Sequence, residues 1–430
     1  MTTTEQPSHQ TVTLDDVITT VVMARVTDFF GFFVYAIASA LVFPQIFFPF
    51  LDPLTGTLWS FAVFSLAFLA RPIASLAARP IQRRIGRAGK ITLALMLLGS
   101  STVAIGLLPG YEEIGITAPI LLAVLRIIQG LGLGGSWDGI TMQLSSAAPK
   151  GRVHRYAMVP QLGGPIGFCV AASLFYVLTG FLTEEEFFNY GWRFAFFAVL
   201  AVNVVSLFAR LRLLTTDFGG EDEEKALMQS APIPDLISNE WRTILLSALV
   251  PIASYALFHM VSVFPLSYAL LFAQDDISTI LLWQLLGGAL AVVAVAVSGF
   301  LADAYSKRHV LGIACALTPV LCLTIGTLNS MPGIYIVFGF VLLGFSYGQS
   351  SAIVPKRFAP KYRYSGSAMS TNLSWILGAA FAPFLGLLLA STFGLWAAAI
   401  YLMSGAITTA IALYLLGIRL RETSSAEPAN

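Results

Sequence analysis

With 430 residues, 57% of them hydrophobic and only 11% charged, the chain cannot cover a soluble globule, where roughly 25% charged residues is usual. A formal net charge of +1 excludes a basic field for nucleic acid. The three cysteines, Cys169, Cys315 and Cys322, have neither metal nor redox spacing and read as free, buried thiols.

Twelve apolar stretches follow in chain order: 18–43, 57–78, 91–109, 118–146, 156–181, 192–214, 243–271, 278–302, 309–328, 333–354, 366–390 and 395–417. A helix needs about 20 apolar residues to cross a hydrocarbon core of ~30 Å, so each stretch is a candidate span. The first is too long for a signal-peptide core and follows the acids Glu5, Asp15 and Asp16, so no cleaved signal is expected. The predicted fold is all-α and integral to the membrane.

Lys and Arg lie between alternate pairs of spans. Arg79, Arg83, Arg84, Arg87 and Lys90 follow span two; Lys150, Arg152 and Arg155 follow span four; Lys356, Arg357, Lys361 and Arg363 follow span ten. The opposite loops carry Asp52, Glu112, Glu113, Glu184 to Glu186, Asp275 and Asp276, with only Arg193 out of place. Positive charge stays inside, so both termini are expected in the cytoplasm and the protein in the cell's inner (cytoplasmic) membrane.

The longest polar interruption, Asp217 to Glu240, holds the acidic cluster Glu221 to Glu224 and then Pro232 and Pro234. It divides the chain into a tail (1–17), a first six-helix half (18–216), a linker (217–240), a second half (241–418) and a tail (419–430). A repeat supports the division. Ala148-Pro149-Lys150-Gly151-Arg152 matches Ala359-Pro360-Lys361-Tyr362-Arg363 at an offset of 211, which also superposes Ala157-Met158 on Ala368-Met369 and Gly167 on Gly378. Gly134-Gly135-Ser136-Trp137 meets Gly344-Phe345-Ser346-Tyr347 at an offset of 210. Two pseudo-symmetric halves predict a clam-like carrier with its substrate between them near the midplane.

Several motifs occur in order: Leu69-Ala70-Arg71-Pro72, Arg84-Ile85-Gly86-Arg87, Ile105-Gly106-Leu107-Leu108-Pro109, Arg126-Ile127-Ile128-Gln129-Gly130, Gly134-Gly135, Gly191-Trp192-Arg193 and Arg363-Tyr364-Ser365-Gly366. As a set they resemble the metabolite:proton symporter branch of the major facilitator superfamily, sugar-porter-like carriers of organic acids and zwitterions. The resemblance implies a twelve-helix major facilitator fold and inward transport of a small metabolite with protons.

The chain departs from that family at its acids. Arg83 stands where the loop after span two usually has Asp, and Arg79 where it has Gly. The second-half copy is kept: Gly299-Phe300-Leu301-Ala302-Asp303 leads to Lys307-Arg308. Gly31, Ser136, Ser146 and Lys356 occupy positions where the family shows an acid. The gate candidates on the cytoplasmic side are thus Arg83, Arg84, Arg87, Asp303, Lys307 and Arg308. The linker acids at 221–224 are candidate counter-charges for the arginines.

Ionisable groups inside a bilayer are costly and mark function by default. Arg25 and Asp28 share a face of span one. Asp28 lies about 15 Å from the cytoplasmic end and Arg126 about 12 Å from the outer end of span four, at 1.5 Å per residue. Two readings stand side by side. Asp28 and Arg126 pair and fix two helices, or Arg126 anchors a carboxylate and Asp28 carries the proton. Asp138 is either an interfacial acid or a displaced proton carrier, and His259 either a packing residue or a proton site sharing a face with Tyr255 and Ser262. Gln161, Tyr255, Tyr347, Asn372 and Trp375 are the remaining substrate-site candidates, equally suited to helix–helix hydrogen bonding.

Gly130-Leu131-Gly132-Leu133-Gly134-Gly135 satisfies the dinucleotide pattern, but no strand precedes it and no acid follows at the required distance; its small residues instead permit close helix packing. Gly164-Pro165 resembles part of a drug-antiporter signature, in which Phe168 stands in place of a glycine. With no metal constellation or nucleophile motif, catalysis is not expected and no cofactor is called for. The expected function is a monomeric secondary carrier of a small carboxylate with proton symport. The alternatives are an uncoupled facilitator or exporter, and a betaine- or proline-type zwitterion symporter.

Overall fold

The computed structural model describes residues 14–136, 144, 148–149, 151–215, 231–273, 276–350 and 357–425. Asp138, Lys356 and the linker acids at 221–224 lie outside them. Among the described residues are twelve long helical segments, a few short helical turns between them and no strands: α1 (Leu14–Leu41), α2 (53–85), α3 (87–107), α4 (Thr117–Gly135), α5 (Val153–Phe181) and α6 (Trp192–Thr215), then α7 (Ile233–Ala273), α8 (Ile277–Ala304), α9 (Lys307–Leu323), α10 (Pro332–Tyr347), α11 (Pro360–Phe393) and α12 (Leu395–Ser425). Ten segments are long and apolar enough to cross a bilayer; α9 and α10 are shorter, with 17 and 16 residues.

The edges differ from the sequence expectation where charge hid a helix. The basic stretch after span two is helical up to Gly86, which turns the chain at φ 76° and ψ 174°. Only glycine takes that φ without strain. α7 starts at Ile233, well before the apolar run at 243, because Pro234 suits a first turn and Asp235 complements the helix N-terminus. At the other face Asp52 caps α2 by accepting from the Thr55 amide at 3.0 Å, which holds its carboxyl below the usual range.

Glycines set the packing inside each half. Gly130 of α4 lies on Ala67 and Ala70 of α2, and Gly134 lies on Arg71, so α2 and α4 run in parallel register. Gly132 meets Ala94 and Leu98 of α3, whereas Gly135 returns to Ala94, so α3 runs the opposite way. In the second half Gly344 of α10 lies on Ala291 of α8 as Gly134 lies on Arg71. The sequence repeat is therefore also a packing repeat. The halves meet along α5 and α8, where Gly288 faces Cys169 and Gly299 faces Met158, along α2 and α11, and along α1 and α7.

Candidate functional site

The centre of the molecule is a cluster of rings drawn from both halves. Phe29, Phe32 and Phe33 project from one face of α1, Phe64 and Phe68 from α2, and Tyr255, Phe258 and His259 from α7. Phe29 stacks on Phe258 at 5.8 Å, Tyr255 on Trp375 at 4.2 Å, and Tyr347 meets Phe258 edge-on at 4.6 Å. His259 is 0% exposed and sits 5.5, 5.1 and 6.3 Å from Phe32, Phe64 and Phe68 of the other half.

A break in α7 aims these rings. The helix is interrupted at Ser262 (φ −105°, ψ −65°), which frees carbonyl groups inside the membrane. Gln284 of α8 donates to the Ser262 carbonyl at 2.6 Å, and Tyr335 of α10 donates to that of Met260 at 3.1 Å. The Ser262 hydroxyl donates to the Phe258 carbonyl. These bonds pair the carbonyls of Phe258, Met260 and Ser262.

Arg126 is 1% exposed and does not pair with Asp28, contrary to the first of the two sequence readings. Its Nε donates to the Phe64 carbonyl at 3.2 Å and its Nη1 to Gln129 Oε1 at 3.0 Å; Gln129 in turn donates to Thr102 at 2.8 Å. The guanidinium lies 3.8 Å from the Tyr35 ring centroid and 4.8 Å from that of Phe64. Tyr35 is seven residues beyond Asp28, about 10 Å along α1. Asp28 is therefore at the wrong depth, and its carboxylate is 3.7 Å from Arg25 instead. Arg126 Nη2, the Tyr35 hydroxyl and both nitrogens of His259 are buried without a hydrogen-bond partner among the described residues.

Sequence reasoning passed over Arg71, although an arginine inside the span at 57–78 was a readable signal. Its guanidinium lies 5.6 Å over the Trp375 ring, within electrostatic reach of Tyr255, Tyr347, Arg25 and Asp28. Gln161 is buried in the turn Val159–Leu162 that packs against α1. Asn372 ties the halves together by donating to Ser75 at 2.7 Å. Tyr255, Tyr347, Trp375, Arg126 and His259 are brought into one cluster; Arg25 and Asp28 flank it through Arg71.

A sequence model described as the Major Facilitator Superfamily matches residues 29–373. The chain belongs to the Major Facilitator Superfamily. Among its relatives, the "Inner membrane metabolite transport protein YhjE" of Escherichia coli (strain K12) is 36% identical over 90% of both chains. The "Shikimate transporter" of the same strain is 28% identical over 91% of this chain and 92% of its own. A "Proline/betaine transporter" from that strain is 26% identical, covering 95% and 83%. In fold, the chain is similar to the crystal structure of a D-xylose-proton symporter, with a TM-score of 0.70, 14% identity and coverage of 93% and 96%. It is a multi-pass membrane transporter of metabolites, not an enzyme.

In this major facilitator chain the gate candidates divide. Asp303 at the end of α8 accepts from the His154 amide at 2.9 Å and from Arg155 Nε at 2.8 Å, across the seam between halves. Arg83 and Arg84 are exposed at the end of α2 and form no ion pair among the described residues, and Arg87 opens α3. Lys307 opens α9, and the Arg308 guanidinium lies against Gly417 of α12. Lys90, 3% exposed, is 3.3 Å from the Tyr364 hydroxyl of the other half. Sequence reading had named Arg155 and Lys90 only as loop charge.

Proposed function

We propose that this transporter carries a small organic-acid anion by alternating access together with protons, and that the anion binds in the ring cluster at Arg126. The observation that carries the reading is the set of buried, unpartnered donors there: Arg126 Nη2, the Tyr35 hydroxyl and the His259 ring. Leaving a buried polar group unpaired costs about 1–3 kcal/mol, so a site that leaves several unpaired is arranged for a ligand that pairs them. A carboxylate accepts from guanidinium, hydroxyl and imidazole N–H alike. The surrounding rings suit an apolar or cyclic body attached to it.

Relatives named for shikimate and for proline/betaine frame the alternative, a zwitterion whose cationic group would sit on aromatic faces. Here guanidinium groups already lie over Tyr35, Phe64 and Trp375, so a second cation meets like charge. That favours the anion. Asp28, held beside Arg25, is the proton carrier in this reading. The basic loops and both termini face the cytoplasm, and the protein works as a monomer in the inner membrane.

The test is uptake by purified protein in liposomes of labelled mono-, di- and tricarboxylates, betaine and proline, with and without an inward proton gradient. Accumulation of a carboxylate only with the gradient is expected. Equilibration without it would instead indicate an uncoupled facilitator, and selective uptake of betaine or proline would overturn the anion reading.

A further inference from the structure

The two copies of the loop motif carry opposite charge at their key position: Asp303 in the second half, Arg83 in the first. Asp303 clamps the seam between α5 and α8 through the His154 amide and Arg155, with its own side chain only 4% exposed. The repeat that superposes 148–152 on 359–363 carries His154 and Arg155 onto Ser365 and Gly366, in the first turn of the regular part of α11 (Arg363–Trp375). A symmetric clamp on the α2–α11 seam would need a carboxylate at residue 83 facing Ser365. Arg83 is exposed, and a guanidinium cannot accept from an amide.

The end of the linker occupies that place. The Ala231 amide donates to the Ser365 hydroxyl at 2.9 Å in a buried contact. Just beyond it, Tyr362 donates to Asp235 at 2.6 Å and accepts from Asn239 at 3.1 Å, while Leu236 packs on Phe358 and Tyr362. Residues 231–234 are thereby fixed to α11. They line a cavity of about 270 Å³ together with Ser75, Leu76, Ala78 and Pro80 of α2 and Lys90 of α3.

We infer that residues 231–234 replace the missing first-half carboxylate, closing the α2–α11 seam by an apolar wedge where Asp303 closes the α5–α8 seam by charge. The closed state on the basic-loop side is therefore asymmetric. One seam opens when a carboxylate is neutralised, the other when the linker end is displaced. Residues 231–234 and the gate are then one device, and a change at these residues reaches the seam through Ser365.

Ala78→Cys places a thiol in the cavity wall, and its labelling by a membrane-impermeant maleimide reads the opening of this seam. The assay uses the full chain in vesicles whose outer face is the basic-loop side, with the parent chain as background. Ile233→Asp combined with Pro232→Gly is expected to raise the labelling rate about fivefold or more, the shift produced by losing one net hydrogen bond. Adding Arg83→Asp is expected to bring the rate back towards its starting value. Ser365→Ala, a milder change removing only the acceptor for Ala231, is expected to raise labelling about twofold to fivefold by the same scale, and it serves if the double variant fails to fold. Unchanged labelling in the linker-end or Ser365→Ala variants overturns the inference, as does a rise that Arg83→Asp leaves in place.

Discussion

Asp303 of α8 and Arg155 of α5 meet at 2.8 Å, the carboxylate of one half holding the opening turn of a helix in the other. The Arg155 guanidinium also lies 4.5 Å over the Phe300 ring, one turn before Asp303 on the same helix. The two halves must separate here whenever the basic-loop side opens, so this contact weights one conformation of the cycle against the other.

Asp303→Asn preserves the shape and removes the charge. Hydrogen bonds to charged groups contribute about 1.5–3 kcal/mol, and the partly exposed Arg155 puts this pair towards the lower end. Uptake is expected to fall roughly tenfold, since about 1.4 kcal/mol is a factor of ten. Exchanging the charges (Asp303→Arg with Arg155→Asp) is expected to recover less than half of the loss, because the His154 amide stays unpaired. Initial rates in liposomes measure both.

Arg126→Lys keeps a positive charge but loses the planar fork, and Arg126→Gln loses both. Substrate affinity is expected to fall about tenfold for Lys and a hundredfold for Gln, one or two units of ~1.4 kcal/mol. Equal losses in the two variants would show that the planar fork, and not the charge, carries the binding. Equilibrium binding to purified protein separates this effect from coupling.

His259 has no partner for either ring nitrogen among the described residues and is enclosed by Phe32, Phe64 and Phe68. His259→Phe removes the unpaired polar atoms while filling the same space. Stability is expected to rise by about 1 kcal/mol while transport drops sharply, the trade shown by groups kept for function. A melting curve beside an uptake assay decides it, and a variant that is destabilised and still active would contradict the role given to His259.

Gly130→Ala adds a Cβ that would lie 2.7 Å from the Ala67 Cα and 2.8 Å from the Ala70 Cβ. α2 and α4 must then part, at a cost of about 1–3 kcal/mol. Gly312→Ala in α9 meets nothing within 4 Å and is expected to be neutral or slightly stabilising. Thermal shift of the two variants side by side measures the contrast.

The span pattern, the helical class and the transporter family were legible in the sequence, because a bilayer imposes a one-dimensional rule: about 20 apolar residues per crossing, with charge confined to the ends. The motifs from Leu69 to Arg193 carried the family. Helix edges were less legible, since the helical stretch up to Gly86 and the start of α7 at Ile233 are polar and resemble loops.

Residue pairings belonged to the tertiary structure alone. Phe32, Phe64 and Phe68 read as ordinary apolar residues of membrane spans until the halves closed around His259. Arg126 found Tyr35 and Gln129 rather than Asp28, and Asn372 found Ser75, because depth and rotation about each helix axis decide which side chains meet. Composition along the chain records how much of a helix must avoid water. It does not record which face of that helix turns to lipid and which to the other half, and that choice is made by packing between segments hundreds of residues apart.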